Sequence, residues 1–200
     1  FIDSAKEEAI SNILAMGELK QEGKLKKIIV TGCLSQRYAE EIEEELPEVD
    51  GILGTGSYSK IVEAIEQTML GADYRSFEDI HAPVEEIDRV LTTPPWFAYL
   101  RIAEGCDNRC AYCIIPFLRG RFRSRRMEDI VNEAKGLAAR GVKELIIVAQ
   151  DITRYGVDLY GKRSLSALLR ELCKLDFHWI RLHYLYPDEL DDELIRTIAE

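Results

Sequence analysis

Three closely spaced cysteines constrain this chain more than any other feature of its sequence. Cys106, Cys110 and Cys113 are separated by three residues and then by two, and the 200-residue chain contains five cysteines in all. Thiolates are soft ligands that favour iron–sulfur clusters, zinc and copper(I). A four-iron cluster bound by only three thiolates leaves one iron open for a small molecule. The spacing therefore indicates a site for a metal cofactor.

Three other interpretations of the cysteines stay open at this stage. Positions 106, 110 and 113 would share one face of a buried helix, although the turn residues Asp107 and Asn108 lie between the cysteines and Gly105 and Pro116 flank them. A structural zinc site normally uses four protein ligands, and no further Cys or His is close in the sequence. A disulfide scaffold fits poorly with an odd cysteine count and a start that is not a signal peptide.

The composition narrows the class of protein. A net charge of −10 argues against a protein that coats nucleic acid, because such binding needs clustered basic residues. The sequence contains no apolar run of about 18 residues, so we expect no membrane span. Unpaired thiols suit a reducing compartment, and we expect a cytoplasmic protein.

Hydrophobic periodicity predicts an α/β chain with two regions, 1–71 and 96–200, joined by an acidic, proline-containing linker at 72–95. The first region alternates helices and short strands as in an open parallel sheet, and the second contains three successive strand–helix units. The predicted elements are helix 3–22 with a capping box at Ser4, strand 27–31, helix 35–46, strand 51–56, helix 59–70, strand 97–103, helix 127–141, strand 144–149, a helix from Ser164 to about 173, strand 179–185 and a helix from Pro187.

Several chemically interesting stretches follow predicted strands. The cysteine loop, Gln150 with Asp151, and residues 184–187 each come after a strand of the second region, where active sites of β/α barrels form. Cys33 follows the first strand of the first region, although a lone cysteine is more often a small buried residue. His183 alone is more often a core histidine, and Cys173 on a leucine-rich helix predicts a core position.

The cysteine run Cys-x-x-x-Cys-x-Tyr-Cys resembles the motif of the radical S-adenosylmethionine (SAM) superfamily, with Tyr112 at the aromatic position. The resemblance implies a [4Fe-4S] cluster on Cys106, Cys110 and Cys113, whose open iron takes the amino and carboxylate groups of SAM. The reduced cluster would pass one electron to the sulfonium, and the 5′-deoxyadenosyl radical would abstract hydrogen from an unactivated carbon. The family core resembles a six-unit partial barrel, so residues 96–200 would form about its first half.

Other motifs resemble the methylthiotransferases, which convert C–H into C–SCH3. They are Phe1–Ala5, 30–38, 53–56, 113–125 and the Gln150–Asp151 loop. The resemblance implies a partial, flavodoxin-like N-terminal methylthiotransferase domain that precedes the radical-SAM barrel. It also implies a second [4Fe-4S] cluster in the full-length enzyme, with Cys33 as the third of its ligands. We therefore expect a fragment of a longer enzyme that is too incomplete for turnover alone.

Residues 1–4 and 182–187 resemble the branch that modifies an aspartate of the twelfth small-subunit ribosomal protein. The branch that modifies a tRNA adenosine is the alternative, and a non-catalytic iron–sulfur or zinc-binding module is a further one. The expected partners are the ribosomal protein or ribosome (or tRNA), an electron donor such as flavodoxin or ferredoxin, and a sulfur donor.

The resemblance also suggests roles for individual side chains, although it identifies no catalytic residue. Tyr112 would lie beside the adenine, unless it is ordinary core packing. Gln150 and Asp151 would touch SAM or substrate, unless they cap a helix or loop. Arg123 lies among alternating arginines that suggest an extended segment with its charges on one side, able to hold a carboxylate or phosphate. The remaining members are Arg119, Arg121, Arg125 and Arg126, and a solvated loop is the alternative.

Overall fold

A computed structural model describes residues 2–86 and 89–200 and divides them into two compact units. The first runs up to Ala82 and includes Arg109–Gly120, and the second comprises Pro83–Asn108 with Arg121–Glu200. Phe1, which opens one family motif, and residues 87 and 88 of the predicted linker lie outside the described residues. No helix in the described part of the chain is long and apolar enough to cross a membrane.

The first unit contains a parallel sheet in the order β1-β2-β3, in which Val30 pairs with Ile52 and Ile52 with Arg75. Its apolar core forms where Ile13 and Ile42 pack with the strands. The elements are α1 (Asp3–Gln21), β1 (Ile29–Thr31), α2 (Cys33–Arg37), α3 (Ala39–Glu45), β2 (Gly51–Leu53), a 3₁₀ turn (Tyr58–Lys60), α4 (Ile61–Met69), β3 (Tyr74–Ser76) and, after the long excursion through the second unit, α5 (Ile115–Arg119).

Asp50 lies directly before β2, at the amino end of this sheet, and its hydrogen bonds stabilise that end. Its carboxylate accepts hydrogen bonds from Nζ of Lys20 and Lys27 at 2.5 and 2.7 Å and from the N–H of Ile28 at 2.9 Å. Burial by itself would raise the pKa of the Asp50 carboxyl, but these donors together hold that pKa below its usual value. The cluster joins α1, the start of β1 and β2.

Three predictions for the first unit need correction. Ser4 does not cap α1, since the helix begins one residue earlier and Ile2 holds the N-cap position without a side-chain hydrogen bond. The predicted helix at 35–46 is two helices, because Tyr38 leaves the helical conformation at φ −124° and ψ 37°. Strand β3 lies inside the predicted linker 72–95, where pairing with β2 supplies hydrogen bonds that a local sequence pattern cannot show.

The second unit contains a parallel sheet in the order β4-β7-β8, so its three strand–helix units are as predicted. The short strands β5 and β6 pair antiparallel beside it. The elements are β4 (Phe97–Arg101), β5 (Ala103–Glu104), β6 (Arg123–Ser124), α6 (Met127–Ala139), β7 (Glu144–Val148), α7 (Val157–Tyr160), α8 (Leu165–Leu172), β8 (Trp179–Leu182), a 3₁₀ turn (Pro187–Glu189) and α9 (Asp192–Ala199). The α/β class with parallel sheets is confirmed.

The two faces of this sheet differ. One face carries fully buried side chains such as Leu100 and Leu145, which belong to a core that includes Ile130 of α6 and Leu168 of α8. The opposite face carries Tyr99, which pairs in register with Ile146 and is 45% exposed. Cys173 was predicted to be a core residue, and this is wrong: it is exposed at the C-cap of α8, one position past the buried stripe.

Candidate cofactor site

The antiparallel pair of β5 and β6 defines the base of the cysteine loop. Ala103 pairs with Ser124 and Glu104 with Arg123, so the loop leaves and returns at adjacent positions. Gly105 turns the chain out of β5 with φ +79°, a conformation that residues with a Cβ rarely adopt. Cys106 follows directly and is 9% exposed. The loop therefore starts from an ordered, buried position.

Cys110 and Cys113 lie on a tight turn in the first unit. The N–H of Cys113 donates to the carbonyl of Cys110 at 2.9 Å, and helix α5 begins two residues later. Helix α5 packs against α2, whose first residue is Cys33. Thr55 links the two helices, since its N–H donates to Oε1 of Gln36 in α2 at 2.8 Å and its hydroxyl donates to the carbonyl of Leu118 in α5.

The five cysteines, all of which are described, form no disulfide. Cys106 belongs to the second unit, whereas Cys110 and Cys113 belong to the first. Within residues 2–86 and 89–200, no three Cys, His, Asp or Glu side chains stand close enough to hold one metal ion. In an iron–sulfur cluster each thiolate binds a different iron, so the ligands stand farther apart. The assignment of the cysteines to a cluster stays a prediction.

Gln150 provides the observation that tests whether a polar ligand fits here. It lies just beyond the carboxyl end of β7, and its Oε1 is buried with no hydrogen-bond partner among the described residues. A buried acceptor without a donor costs about 1–3 kcal/mol, so a bound group with an N–H or O–H would relieve that cost. The amino group and the ribose hydroxyls of SAM are donors of this kind. The buried acceptor of Gln150 therefore suits one of the predicted cofactors, SAM.

Asp151, the next residue, is in the opposite situation. It is 2% exposed and both carboxylate oxygens accept hydrogen bonds. Oδ1 accepts from the N–H of Thr153 at 3.0 Å and from its hydroxyl, and Oδ2 accepts from Nδ2 of Asn108 at 2.9 Å. Arg154 Nη1 in turn donates to Oδ1 of Asn108 at 2.9 Å. The loop-capping alternative thus describes the contacts that Asp151 makes in this structure.

The remaining predicted residues separate into exposed and buried groups. Tyr112 is 90% exposed, which excludes ordinary core packing and leaves its predicted place beside adenine as a prediction. Arg123 lies in β6 as an extended residue, as predicted, but it is 9% exposed and its Nη1 donates to the carbonyl of Arg121 at 2.7 Å. Arg126 is exposed.

Arg125 shows that the arginine cluster does not present all its charges on one open side. Its Nε donates to Glu86 at 2.7 Å, and its Nη1 lies 2.8 Å from Glu133. Burial by itself would lower the pKa of Arg125, but the hydrogen bonds and charges of Glu86 and Glu133 raise it above its usual range. This guanidinium ties α6 to the stretch before β4, and the predicted one-sided arrangement is wrong at this position.

Sequence reasoning missed the role of Asn108, whereas Tyr184 belongs to the stretch 184–187 that was expected at a strand end. Asn108 stands between the cysteines, yet nothing in the sequence distinguishes it from a turn residue. Tyr184 has φ +64°, uncommon for a bulky residue, and its carbonyl accepts from the N–H of Ile152 at 3.1 Å. The loops after β7 and β8 are therefore joined. The ring of His183 lies beside that of Tyr184, with centroids 5.9 Å apart.

Comparison with known proteins decides the family. Residues 100–200 match the family model described as the radical SAM superfamily. The chain belongs to the radical SAM superfamily. Residues 1–54 of this radical SAM chain match a second model, described as the uncharacterized protein family UPF0004.

The radical SAM chain is also similar to curated proteins along its whole length. It is 53% identical over 202 residues to the ribosomal protein uS12 methylthiotransferase RimO of Clostridioides difficile, covering 100% of this chain and 46% of that protein. It is 54% identical over 200 residues to the protein of the same name from Lachnoclostridium phytofermentans, covering 99% and 46%. The chain therefore spans about half the length of the curated relatives it matches.

A solved structure shares the fold. It is the radical S-adenosylmethionine methyltransferase TsrM from Kitasatospora setae, determined with tryptophan substrate and a SAM analog bound. The TM-score is 0.59 at 15% identity, and the match covers 86% of this chain and 39% of that one. At this identity the likeness concerns the arrangement of strands and helices.

Proposed function

We propose that this chain is part of a radical SAM methylthiotransferase that converts C–H into C–SCH3 on an aspartate of ribosomal protein uS12. The observation that carries the proposal is the identity of 53–54% along the whole chain with uS12 methylthiotransferases. An identity this high over both units favours the ribosomal-protein branch over the tRNA branch that the sequence motifs left open.

Cys106, Cys110 and Cys113 hold a [4Fe-4S] cluster in this proposal. The cluster and SAM together supply the one-electron chemistry that removes hydrogen from an unreactive C–H bond. The protein's own groups bind and orient: Gln150 Oε1 accepts a hydrogen bond from SAM, and Tyr112, exposed on the loop, covers the adenine. Its exposure and the unpartnered acceptor support these roles.

We propose roles for two further predicted site residues, Arg123 and Cys33. Arg123 is buried in β6, where it pairs with Glu104 of β5, and we propose that it positions the loop's return strand near the cofactor rather than reaching into solvent. Cys33 opens α2 after Gly32, whose φ of +111° favours glycine, and we propose it as a ligand of a second [4Fe-4S] cluster in the longer protein. The packing of α2 on α5 supports a role for Cys33 close to the loop that carries Cys110 and Cys113.

The remaining parts of the proposal concern partners. Electrons come from a carrier such as flavodoxin or ferredoxin, sulfur comes from a separate donor, and the uS12 protein or the ribosome is the substrate. Reduced thiols and a ribosomal substrate both favour the cytoplasm as the place of action.

The cluster is tested by anaerobic reconstitution with iron and sulfide. We expect about four irons per chain on the three-cysteine motif, with an electron paramagnetic resonance (EPR) signal after reduction that changes when SAM is added. The Cys106→Ala, Cys110→Ala and Cys113→Ala variants should each lose the signal. Cys173→Ala is the matched control and should keep it, because Cys173 is exposed at the end of α8. A colourless protein that binds zinc instead would contradict the proposal.

The substrate is tested with the full-length protein, uS12 and, in parallel, tRNA. We expect uS12 to gain one SCH3 group in place of one hydrogen at an aspartate, measured by mass spectrometry of peptides. Modification of tRNA adenosine without modification of uS12 would replace this branch by the alternative one.

A further inference from the structure

We propose that Asp151 is a positioning residue that holds the cysteine loop through Asn108, and that it contacts neither SAM nor the substrate. The inference rests on the proposed function, because it concerns the loop that carries the cluster cysteines. It assigns different tasks to the neighbours Gln150 and Asp151, which the sequence places together at one strand end.

Both carboxylate oxygens of Asp151 already accept hydrogen bonds from the protein. Oδ1 accepts from the backbone and hydroxyl of Thr153, and Oδ2 accepts from the amide of Asn108. The side chain is buried, with the residue 2% exposed. Because both oxygens already accept hydrogen bonds in a buried place, a ligand group would have to compete with these donors for the carboxylate.

Asn108 connects this hydrogen-bond network to the cysteine loop. Asn108 lies two residues after Cys106 and two before Cys110, so fixing its side chain restricts both flanking segments. Its amide is held at both ends, since Nδ2 donates to Asp151 and Oδ1 accepts from Arg154. The following residue, Arg109, has φ +47°, a conformation that an arginine rarely adopts and that neighbouring contacts must maintain.

The hydrogen bonds among Asp151, Thr153 and Asn108 work only with one assignment of donors and acceptors. Asp151 supplies only acceptors, Thr153 supplies donors toward it, and Asn108 needs an acceptor on one side and a donor on the other. An Asp151→Asn change puts an NH2 group toward either Thr153 or Asn108, both of which donate there. The exchange Asn108→Asp with Asp151→Asn restores every donor–acceptor pair. In that variant the new amide at position 151 can donate to the new carboxylate at position 108, and Arg154 still donates to the same carboxylate.

The experiment compares four forms of the full-length protein: wild type, D151N, the exchange variant N108D/D151N, and D107N. Asp107 is exposed on the same loop, so D107N is the matched control for loss of one charge. We expect D151N to lower the rate of SAM cleavage about tenfold, within the range for residues that orient metal ligands. The KM for SAM should stay near the wild-type value, and the exchange variant should recover most of the rate.

The cluster gives a spectroscopic readout. In D151N the EPR signal of the reduced cluster should change before SAM is added, and the exchange variant should restore the wild-type signal. A D151N protein with an unchanged SAM-free signal and a raised KM for SAM would show that Asp151 binds SAM directly. An exchange variant as impaired as D151N would also overturn the inference.

Amide hydrogen exchange of the iron-free protein separates this inference from the proposed function. D151N should speed exchange at residues 106–110, and N108D/D151N should slow it again, whether or not a cluster can be loaded. If the wild type binds no iron and cleaves no SAM, the proposed function fails while this measurement still decides the role of Asp151. Equal exchange in the wild type and D151N would refute the positioning role.

Discussion

Asp50 in the first unit is a partly buried carboxylate and Asp151 in the second a buried one, and they lie at opposite ends of their strands. The side chain of Asp50 is 12% exposed, and Asp151 is 2% exposed. Asp50 lies before β2, at the amino end of its strand, whereas Asp151 follows β7, at the carboxyl end. Their partners differ as well: two lysine ammonium groups contact Asp50, and neutral donors contact Asp151.

The difference shows how the polarity of a parallel strand separates stability from chemistry. In β/α barrels, loops at the carboxyl ends form the active site, and residues at the amino ends contribute to stability. Asp50 joins a helix to the strands with charge-assisted hydrogen bonds, which are the stronger kind. Asp151 instead orders a loop next to an acceptor, Gln150 Oε1, that is buried without a partner among the described residues.

The largest effect should follow removal of the amino-end carboxylate. We expect Asp50→Ala to lower the free energy of unfolding by about 2–3 kcal/mol, because charge-assisted hydrogen bonds are lost and two lysines keep their partly buried positions. Denaturant unfolding measures this. Lys24→Ala is the control: its ion pair with Glu22 is exposed, and we expect less than about 0.5 kcal/mol. If both variants lowered the free energy of unfolding equally, the Asp50 cluster would contribute no more stability than an exposed ion pair.

A smaller loss should follow removal of the carboxyl-end carboxylate. We expect Asp151→Ala to lower the free energy of unfolding by about 1 kcal/mol, because loops open locally without unfolding the core. The same denaturant measurement, read beside the hydrogen exchange of the cysteine loop, checks it. A loss larger than that of Asp50→Ala would mean that Asp151 is mainly a stability residue.

Acid should remove part of the Asp50 contribution. The pKa of Asp50 is lowered in the folded chain, so its stabilisation is fully present above the unfolded pKa of about 4 and declines as the pH falls through the lower folded pKa. We therefore expect the stability difference between wild type and Asp50→Asn to be constant near neutral pH and to shrink below about pH 4. Thermal unfolding of both proteins from neutral pH to below about pH 4 measures this difference. A stability difference that grows toward acid would contradict a lowered pKa of Asp50.

The smallest expected quantity is the coupling between the two carboxylates. Among the described residues they share no hydrogen-bond partner, so the effects of Asp50→Asn and Asp151→Asn on the free energy of unfolding should add to within about 0.5 kcal/mol. A double-mutant cycle measures the coupling. A coupling well above that value would show that the two clusters act as one.

Much of the scaffold followed from local pattern. The strands at 97–103, 144–149 and 179–185 were predicted because short apolar runs between turn residues signal buried strands, and they correspond to β4, β7 and β8. Strand β3 was missed because three residues without alternation acquire their structure from pairing with β2. Cys173 was misplaced because one position along a helix turns a side chain by about 100°, enough to leave the buried stripe.

The sequence by itself determined the superfamily motif, the three strands β4, β7 and β8 of the second sheet, and the location of Gln150 and Asp151 at a strand end. These depend on spacing and periodicity, which operate over a few residues. The tertiary structure alone decided that both oxygens of Asp151 accept hydrogen bonds, that Gln150 keeps a buried acceptor, and that Arg125 is enclosed. Asn108 meets Asp151 across 43 positions of chain, and such a contact forms only when the packing of the strands brings two loops together.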